Sequence, residues 1–264
     1  FEHAGRPAVD DSRFGTIFGT GVGGLRSIEE QIEVMLTKGE RRVSPFLVPM
    51  MMPNASGAAI SMRYGLRGPN ETITTACAAS THAIGYAARM IAWGMIDACV
   101  SGGSESAGCR IGVNSFGNMT ALSTEGRSVP FSPERDGFVL GEGAAAFMLE
   151  EWSLAEARGA TIYGEVLGAA SNADAHHITA PAPGGVGAIA CMRLALADAG
   201  LEPGDIKQIN AHGTSTPLND AAEAAAVTAV FGPRGVPVVS TKGVTGHALG
   251  AAGALEAAAV LLSM

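Results

Sequence analysis

Residues 72–88 read TITTACAASTHAIGYAA, and residues 237–255 read PVVSTKGVTGHALGAAGAL. Each stretch passes from a β-branched run, through a turn of small residues, into an alanine-rich run. This order predicts a strand, a tight turn and a helix. Because both stretches have the same outline, we expect two halves of similar build, at residues 1–150 and 151–264.

The alternation continues on both sides of these stretches, which is typical of a layered α/β protein. A long irregular stretch, residues 119–141, is of the kind that more often carries function than packing. We predict helices at residues 80–93, 186–199, 218–231 and from 248 onward. We predict strands at residues 71–76, 96–101, 138–140, 161–168, 206–210 and 236–240.

Composition excludes several classes of protein. The 264 residues carry 17 Lys and Arg against 25 Asp and Glu, a net charge of −8, which argues against general nucleic-acid binding. No stretch approaches the roughly 18 apolar residues of a membrane helix, and the four cysteines lack the paired spacing of a disulfide framework. We therefore expect a cytoplasmic protein without a membrane span. Since residue 1 is not Met and the last helical pattern has no stop signal, we also expect an internal part of a longer chain.

Cys77 lies between a predicted strand and the first turn of a predicted helix. The positive end of a helix favours a thiolate and lowers the pKa of a cysteine there. The small neighbours leave room for a substrate to approach the sulfur. Position alone leaves two readings open, a nucleophile and an ordinary small core residue.

Two histidines, His212 and His247, lie beside glycines at the ends of predicted strands, where α/β proteins place their active sites. With Cys77 they are compatible with a Cys-His hydrolase, a metal site or a thioester-handling site. The long separations in sequence match no short chelating pattern, which argues against a metal. The residues alone do not choose between the other two.

Six segments carry a resemblance that does choose. They are TTACAAS (74–80), NAHGTSTPLND (210–220), STKGVTGHALGAAGALE (240–256), RDGFVLGEGAA (135–145), GTGVGGL (19–25) and GERRVSPFLVPMMMPN (39–54). The first three, in that order, resemble the Cys, His and Lys/His motifs of the β-ketoacyl-acyl carrier protein synthases. The other three also resemble that family, closest to the elongating type II enzymes. The similarity runs over essentially the whole chain.

The resemblance implies a thiolase-like fold, with two similar α/β halves in a five-layer α-β-α-β-α arrangement, working as a homodimer. The implied reaction is decarboxylative Claisen condensation. An acyl group moves from acyl carrier protein to Cys77, malonyl carrier protein loses CO2, and the carbanion attacks the acyl-cysteine. His212 and His247 would each donate a hydrogen bond to the malonyl thioester oxygen. The resemblance implies no metal or organic cofactor. The substrates are carried on the phosphopantetheine of acyl carrier protein.

Further roles follow by matching positions. Lys242 resembles the lysine of the family motif, and we expect its charge to order the site with Glu223 as partner. Glu223 also reads, with Asn219 or Asp220, as a helix capping arrangement. The resemblance implies that Thr214 and Thr216 hydrogen-bond the phosphopantetheine arm. It implies that Val22 and Phe116 line the acyl tunnel. Arg41 and Arg42 would form a patch that docks the carrier protein.

Three related proteins compete with this interpretation. A biosynthetic thiolase uses a His and a second Cys, and the paired histidines with no Cys in the late motif argue against it. A chain-length factor lacks the nucleophile, so Cys77 argues against that protein. A polyketide ketosynthase shares the same core chemistry and remains the main alternative.

Overall fold

The computed structural model describes all 264 residues, and the chain divides into two compact units. The first unit comprises Phe1–Asn114, Glu142–Glu165 and Ala248–Met264, and the second comprises Ser115–Gly141 and Val166–His247. The strands are β1 (Phe14–Gly19), β2 (Asn70–Ile73), β3 (Ala98–Glu105), β4 (Gly143–Glu150), β5 (Ile209–Asn210) and β6 (Val238–Val239). The helices are α1 (Leu25–Lys38), α2 (Leu47–Met51), α3 (Ala55–Tyr64), α4 (Ala79–Ala92), α5 (Arg110–Asn118), α6 (Trp152–Ala157), α7 (Val186–Ala199), α8 (Pro217–Phe231), α9 (Lys242–Thr245) and α10 (Ala252–Ser263).

A four-stranded sheet organises the first unit, with strand order β2-β1-β3-β4. Strand β1 is parallel to both β2 and β3, whereas β4 runs antiparallel to β3. Parallel strands need a crossover connection, and α4 connects β2 to β3, which lie on either side of β1. The carboxyl ends of β1, β2 and β3 therefore meet at one edge of the sheet, and Cys77 follows the end of β2.

Apolar side chains cover both faces of this sheet. On one face, Ile17 packs with Ala83, Ala87 and Met90 of α4. On the other face, Phe14, Phe18 and Val100 are buried, and α3 packs against them through partly buried side chains. The alternation of Phe14, Ile17 and Phe18 between the faces follows the two-residue period of a strand. The first unit therefore has a core on each side of its sheet.

The second unit is built around a short parallel pair, β5 and β6, in which Ile209 lies opposite Val238. Helix α7 packs against α8. Helix α7 ends at Gly200, whose left-handed φ of 67° is a common way to end a helix. Helix α8 begins with Pro217 at its first position, where the missing N–H costs no hydrogen bond. These sequence signals give both helices well-defined ends.

The predicted helices at 80–93, 186–199 and 218–231 are confirmed to within one residue at each end. The strand predicted at 161–168 is wrong, because these residues form no strand. Its apolar and β-branched composition gives only a local preference, and a strand also needs a neighbour with which to exchange hydrogen bonds. The strand predicted at 138–140 is reduced to two isolated bridges, Leu122 with Phe138 and Leu140 with His247. None of the helices has both the length and the hydropathy of a membrane span.

Gly19 provides a test of how tightly the first unit packs. A Cβ at Gly19 would lie 2.5 Å from the Ala79 carbonyl carbon, so Gly19→Ala should push β1 away from α4. We expect the free energy of unfolding to fall by about 1–3 kcal/mol, the usual cost of overpacking. The measurement is urea unfolding of the purified protein.

Gly117→Ala is the matched control, because this glycine lies in α5 with no atom within 4 Å of an added Cβ. That change should leave stability unchanged or raise it by about 0.5–1 kcal/mol, because alanine favours helix. Equal stability of Gly19→Ala and the wild type would contradict the close contact.

Candidate active site

Cys77 lies in a one-turn 3-10 helix, Ala76–Ala78, between the end of β2 and the start of α4. Ala76 has a left-handed φ of 51°, which is strained for a residue with a side chain. This strained residue turns the chain sharply from strand to helix. Cys77 is partly buried at the amino end of α4, and the positive end of a helix favours a thiolate.

Neighbouring residues brace this turn. The Thr75 carbonyl accepts from the Ala78 N–H at 3.1 Å, and the Thr75 hydroxyl lies 2.7 Å from His82 Nδ1. The buried Ser80 hydroxyl accepts from the Ala254 N–H at 2.9 Å and so ties the start of α4 to α10. Leu249–Ala251 forms a second 3-10 turn that packs against the Cys77 turn. The nucleophile candidate is therefore held by a rigid frame.

Cys99 and Cys191 differ from Cys77, because neither lies at the amino end of a helix. Burial raises the pKa of Cys99 to about 12, so its thiol stays protonated at neutral pH. Burial also raises the pKa of Cys191. The structure contains no disulfide bond.

His212 and His247 lie together in the second unit. Their rings contact edge to face, with centroids 5.3 Å apart. The backbone of His247 is held as in a strand, because its N–H donates to Val139 at 2.7 Å and its carbonyl accepts from Gly141 at 3.0 Å. His212 follows β5, and its N–H donates to a Glu223 carboxylate oxygen at 2.7 Å. The long irregular stretch 119–141 thus positions one histidine, and α8 positions the other.

Both imidazoles are neutral at physiological pH. Burial lowers the pKa of His212 to about 3, and the charge of Lys242 acts in the same direction. Burial also lowers the pKa of His247 to about 2, with further contributions from His212 and Lys242. A neutral imidazole has one ring nitrogen that donates and one that accepts, so each histidine can offer a single N–H to a substrate oxygen.

Lys242 and Glu223 are the charged side chains near the two histidines. The Lys242 side chain is buried, with 1% of its surface exposed, at the start of α9. Burial raises the pKa of Glu223, while its hydrogen bonds from Gly213 and His212 and the charge of Lys242 lower it. That Lys242 orders the site with Glu223 as its partner stays a prediction. Glu223 also accepts from the backbone of two residues and fixes the loop that carries His212.

Asp220 is a link between loops as well as a helix-start residue. Its carboxylate accepts from the Phe131 N–H at 2.7 Å and from the Ser215 N–H at 3.2 Å. The Arg135 guanidinium lies 3.7 Å from the same carboxylate and donates to the Pro217 carbonyl at 3.2 Å. These contacts dock the 127–137 stretch on the loop that follows His212.

The two threonines and the phenylalanine assigned by resemblance lie in the same unit. The hydroxyl oxygens of Thr214 and Thr216 are 2.8 Å apart and form a hydrogen bond. Phe116 contacts Phe138 edge to face at 5.4 Å, and Phe138 contacts His247 in the same way at 5.2 Å. This row of rings connects Phe116 to the histidine pair.

Models of two known protein domains match the chain. The model for the N-terminal domain of β-ketoacyl synthases matches residues 1–155, and the model for the C-terminal domain matches residues 163–264. The chain belongs to the β-ketoacyl synthase family. The resemblance seen in the sequence motifs is thus confirmed.

Curated relatives agree with this assignment. The chain is 45% identical to 3-oxoacyl-[acyl-carrier-protein] synthase 2 of Vibrio cholerae, over 99% of this chain and 67% of that protein. It is also 45% identical to the protein of the same name from Coxiella burnetii, over 96% of this chain and 63% of that protein. The chain thus spans about two thirds of the length of these relatives.

Solved structures show the same fold. A type II PKS ketosynthase in complex with its acyl-carrier protein, AntDE:AntF, matches with a TM-score of 0.92 and 34% identity, covering 98% of this chain and 67% of that chain. A β-ketoacyl synthase from Burkholderia phymatum matches with a TM-score of 0.91 and 38% identity, covering 100% of this chain and 65% of that chain. The predicted α/β, thiolase-like fold of this β-ketoacyl synthase is confirmed.

The remaining assigned residues lie in the first unit of the synthase. Val22 is 40% exposed, in the loop between β1 and α1, and its N–H lies 3.4 Å from a Glu105 carboxylate oxygen. Arg41 and Arg42 are exposed in a short 3-10 helix after α1. The tunnel role of Val22 and the docking role of the arginines stay predictions, as does the domain boundary at residue 150.

Sequence reasoning missed two residues that the structure brings to notice. Phe138 was read only as part of a strand, although it joins Phe116 to His247. Glu105 was not singled out, although it is the one charged residue in the buried strand ACVSGGSE. A carboxylate at the end of a buried strand is a signal that could have identified it, because buried charge needs a dedicated set of partners.

The lowered histidine pKa values predict acid sensitivity. An unfolded histidine has a pKa near 6.5, whereas the pKa of His212 in the folded chain is about 3. Between these two pH values the unfolded chain therefore binds a proton that the folded chain does not bind. Stability should therefore fall as pH decreases from about 6.5, by on the order of 1 kcal/mol per pH unit for each such histidine.

His212→Asn and His247→Asn should each reduce this loss between pH 7 and pH 5, measured as urea unfolding at a series of pH values. His176→Asn, which removes an exposed imidazole, is the control. An unchanged pH dependence in both site variants would show that the two imidazoles accept protons in the folded protein.

Proposed function

We propose that this protein catalyses decarboxylative Claisen condensation, joining an acyl group on Cys77 to a two-carbon unit from malonyl-acyl carrier protein. The products are 3-oxoacyl-acyl carrier protein and CO2, and the role is fatty acid elongation. The observation that carries the proposal is the pair of neutral histidines beside the buried ammonium of Lys242. Membership in the β-ketoacyl synthase family and the names of the relatives support it.

Acyl transfer is the first half of the reaction. The Cys77 thiolate attacks the carbonyl carbon of the acyl thioester, so a new C–S bond forms and the bond to the phosphopantetheine sulfur breaks. The leaving thiolate departs with that electron pair and is protonated by solvent. A cysteine suits this step because a thiolate both attacks and leaves a thioester readily. Thr214 and Thr216 offer hydroxyl groups that can bind the amides of the phosphopantetheine arm.

Decarboxylation is the second half. As the malonyl C–C bond breaks, CO2 leaves and negative charge develops on the thioester oxygen. One N–H from each of His212 and His247 can donate to that oxygen, and the Lys242 charge favours the enolate further. The carbanion then attacks the acyl-cysteine carbonyl, a C–C bond forms, and the Cys77 thiolate is released. No metal or organic cofactor is needed, because the thioester itself accepts the electrons.

Two sources of substrate, fatty acid elongation and polyketide assembly, would use this chemistry. The chain is 45% identical to proteins named 3-oxoacyl-[acyl-carrier-protein] synthase 2 and 34% identical to the type II PKS ketosynthase. The higher identity favours elongation, and a polyketide ketosynthase is the second candidate.

Acyl carrier protein is the proposed partner, and we expect a cytoplasmic homodimer. The AntDE:AntF structure contains a type II PKS acyl-carrier protein in complex with its ketosynthase. This complex supports a carrier protein as the partner of the present chain. Carrier proteins are acidic, and this chain has a net charge of −8, so attraction needs a local basic patch. Arg41 and Arg42, in the short 3-10 helix after α1, supply such a patch together with the exposed Lys38 at the end of α1.

Cys77→Ser tests the nucleophile. The serine hydroxyl stays protonated near neutral pH, so both the acyl adduct and condensation should fall to background. Intact-mass analysis after incubation with acyl carrier protein should show one adduct on the wild type, mapped to Cys77. Cys191→Ser is the matched control and should keep both. An adduct mapped to any other cysteine would overturn the assignment.

Charge reversal tests the docking patch. Arg41→Glu with Arg42→Glu should raise the KM for acyl carrier protein by about tenfold at low salt and weaken its salt dependence, because peripheral charges act mainly on association. Turnover of a small acyl-pantetheine thioester should be nearly unchanged. The double change Arg193→Glu with Lys207→Glu alters net charge equally at exposed residues of α7 and the segment before β5, and should have little effect. Equal losses with both substrates would assign the two arginines to the fold.

A further inference from the structure

Glu105 is a buried carboxylate at the carboxyl end of β3, with 5% of its surface exposed. One oxygen accepts from the Thr20 hydroxyl at 3.0 Å and from the Val22 N–H at 3.4 Å. The other accepts from the Gly21 N–H at 2.5 Å and from the Gly250 N–H at 3.0 Å. Four donors from two separate segments therefore converge on a single side chain.

A carboxylate suits this position because it only accepts hydrogen bonds. Three of its four donors are backbone N–H groups, which would lack partners in a buried place without an acceptor. Hydrogen bonds to an ionised group are about twice as strong as neutral ones. A glutamine of the same size would replace one accepting oxygen with an NH2 group that faces these donors.

The two segments are also in direct backbone contact. A Cβ at Gly250 would overlap the Gly21 nitrogen, and a Cβ at Gly21 would lie 2.6 Å from a Glu105 oxygen. No side chain separates the loop after β1 from the Leu249–Ala251 turn. Glu105 therefore fixes the distance between them.

Each segment leads to a residue of the proposed reaction. The loop after β1 carries Val22, and the Leu249–Ala251 turn packs against the turn that holds Cys77. Glu105 and the loop also line a cavity of about 490 Å³, together with Ser104 and Met50. A shift of the loop would change the wall of this cavity and the place of Val22.

We propose that Glu105 is a positioning residue that holds Val22 at a fixed place relative to the turn packed on Cys77, and so sets which acyl chain lengths the cysteine accepts. The assignment rests on the proposed function, because Val22 acquires its role from the condensing reaction. Glu105 itself touches no reacting atom.

The experiment uses Glu105→Gln and Glu105→Asp in the protein that contains these 264 residues. Glu150→Gln is the matched control, since the Glu150 side chain is only 5% exposed but lies at the opposite end of the β3–β4 pair, where its carboxylate accepts from Arg158. Each protein is incubated with an equimolar mixture of short-chain and long-chain acyl carrier protein, and intact-mass analysis gives the ratio of the adducts on Cys77. Hydrogen exchange of peptides covering residues 20–24 and 248–252 reports whether Glu105 holds these two segments together.

In Glu105→Gln we expect the adduct ratio to change by about tenfold or more, the scale on which a displaced pocket wall alters discrimination. The peptides at 20–24 and 248–252 should exchange faster, and Glu105→Asp, which keeps the charge, should lie between glutamine and wild type. Glu150→Gln should keep the wild-type adduct ratio and the wild-type exchange of both peptides. If glutamine prevents folding, Glu105→Asp alone carries the test of the ratio.

A wild-type adduct ratio in a folded Glu105 variant with faster exchange would overturn the proposal. Unchanged hydrogen exchange of both peptides in Glu105→Gln would show that Glu105 does not hold the two segments together. If the wild type forms no adduct on Cys77, the proposed function fails and the specificity role fails with it, whereas the exchange data still decide whether Glu105 holds the two segments.

Discussion

The first unit depends on the close approach of backbones around the amino end of α4. A side chain at Gly19 would overlap the start of this helix, and one at Gly103 would come within 2.5 Å of the Ser80 Cβ. A Cβ at Gly253 would lie 2.9 Å from the Thr81 nitrogen, so α10 approaches the same helix end. Such contacts leave no room for side chains, which explains why a chain with 36 glycines has few aromatic residues. They also hold the start of α4, which directly follows the strained Cys77 turn.

The second unit buries two hydrogen-bond donors, the imidazoles of His212 and His247, together with the positive charge of Lys242. Lys242 is buried beside two imidazoles, and its charge opposes their protonation. Burial of the rings acts in the same direction, so the site has one fixed positive charge and two neutral donors. An enolate oxygen is the kind of group that such an arrangement favours, because negative charge develops there only as the reaction proceeds. Glu223 and Asp220 act on the loop that carries His212, through hydrogen bonds to its backbone and to the stretch that docks on it.

The local features of the fold were predictable from sequence, and the long-range ones were not. Helices α7 and α8 could be predicted because the apolar pattern of a helix is local, and Gly200 marks the end of α7. The strand at 161–168 was wrongly predicted, since composition does not reveal whether a neighbouring strand is present. Cys77, His212, His247 and Lys242 were selected by motif. Glu105 and Phe138 act through contacts with residues far away in the chain, and no local pattern encodes those contacts.

The central claim is that His212 and His247 stabilise the enolate, and CO2 release from malonyl-acyl carrier protein tests it most directly. Cys77→Gln provides the background, because its amide can occupy the place of the acyl thioester while condensation is blocked. In this background we expect malonyl decarboxylation to continue, and His212→Ala or His247→Ala to slow it by on the order of 100-fold or more, the cost of losing one such donor. His3→Ala, at an exposed histidine, should leave it unchanged. Unchanged CO2 release in both site variants would contradict the account.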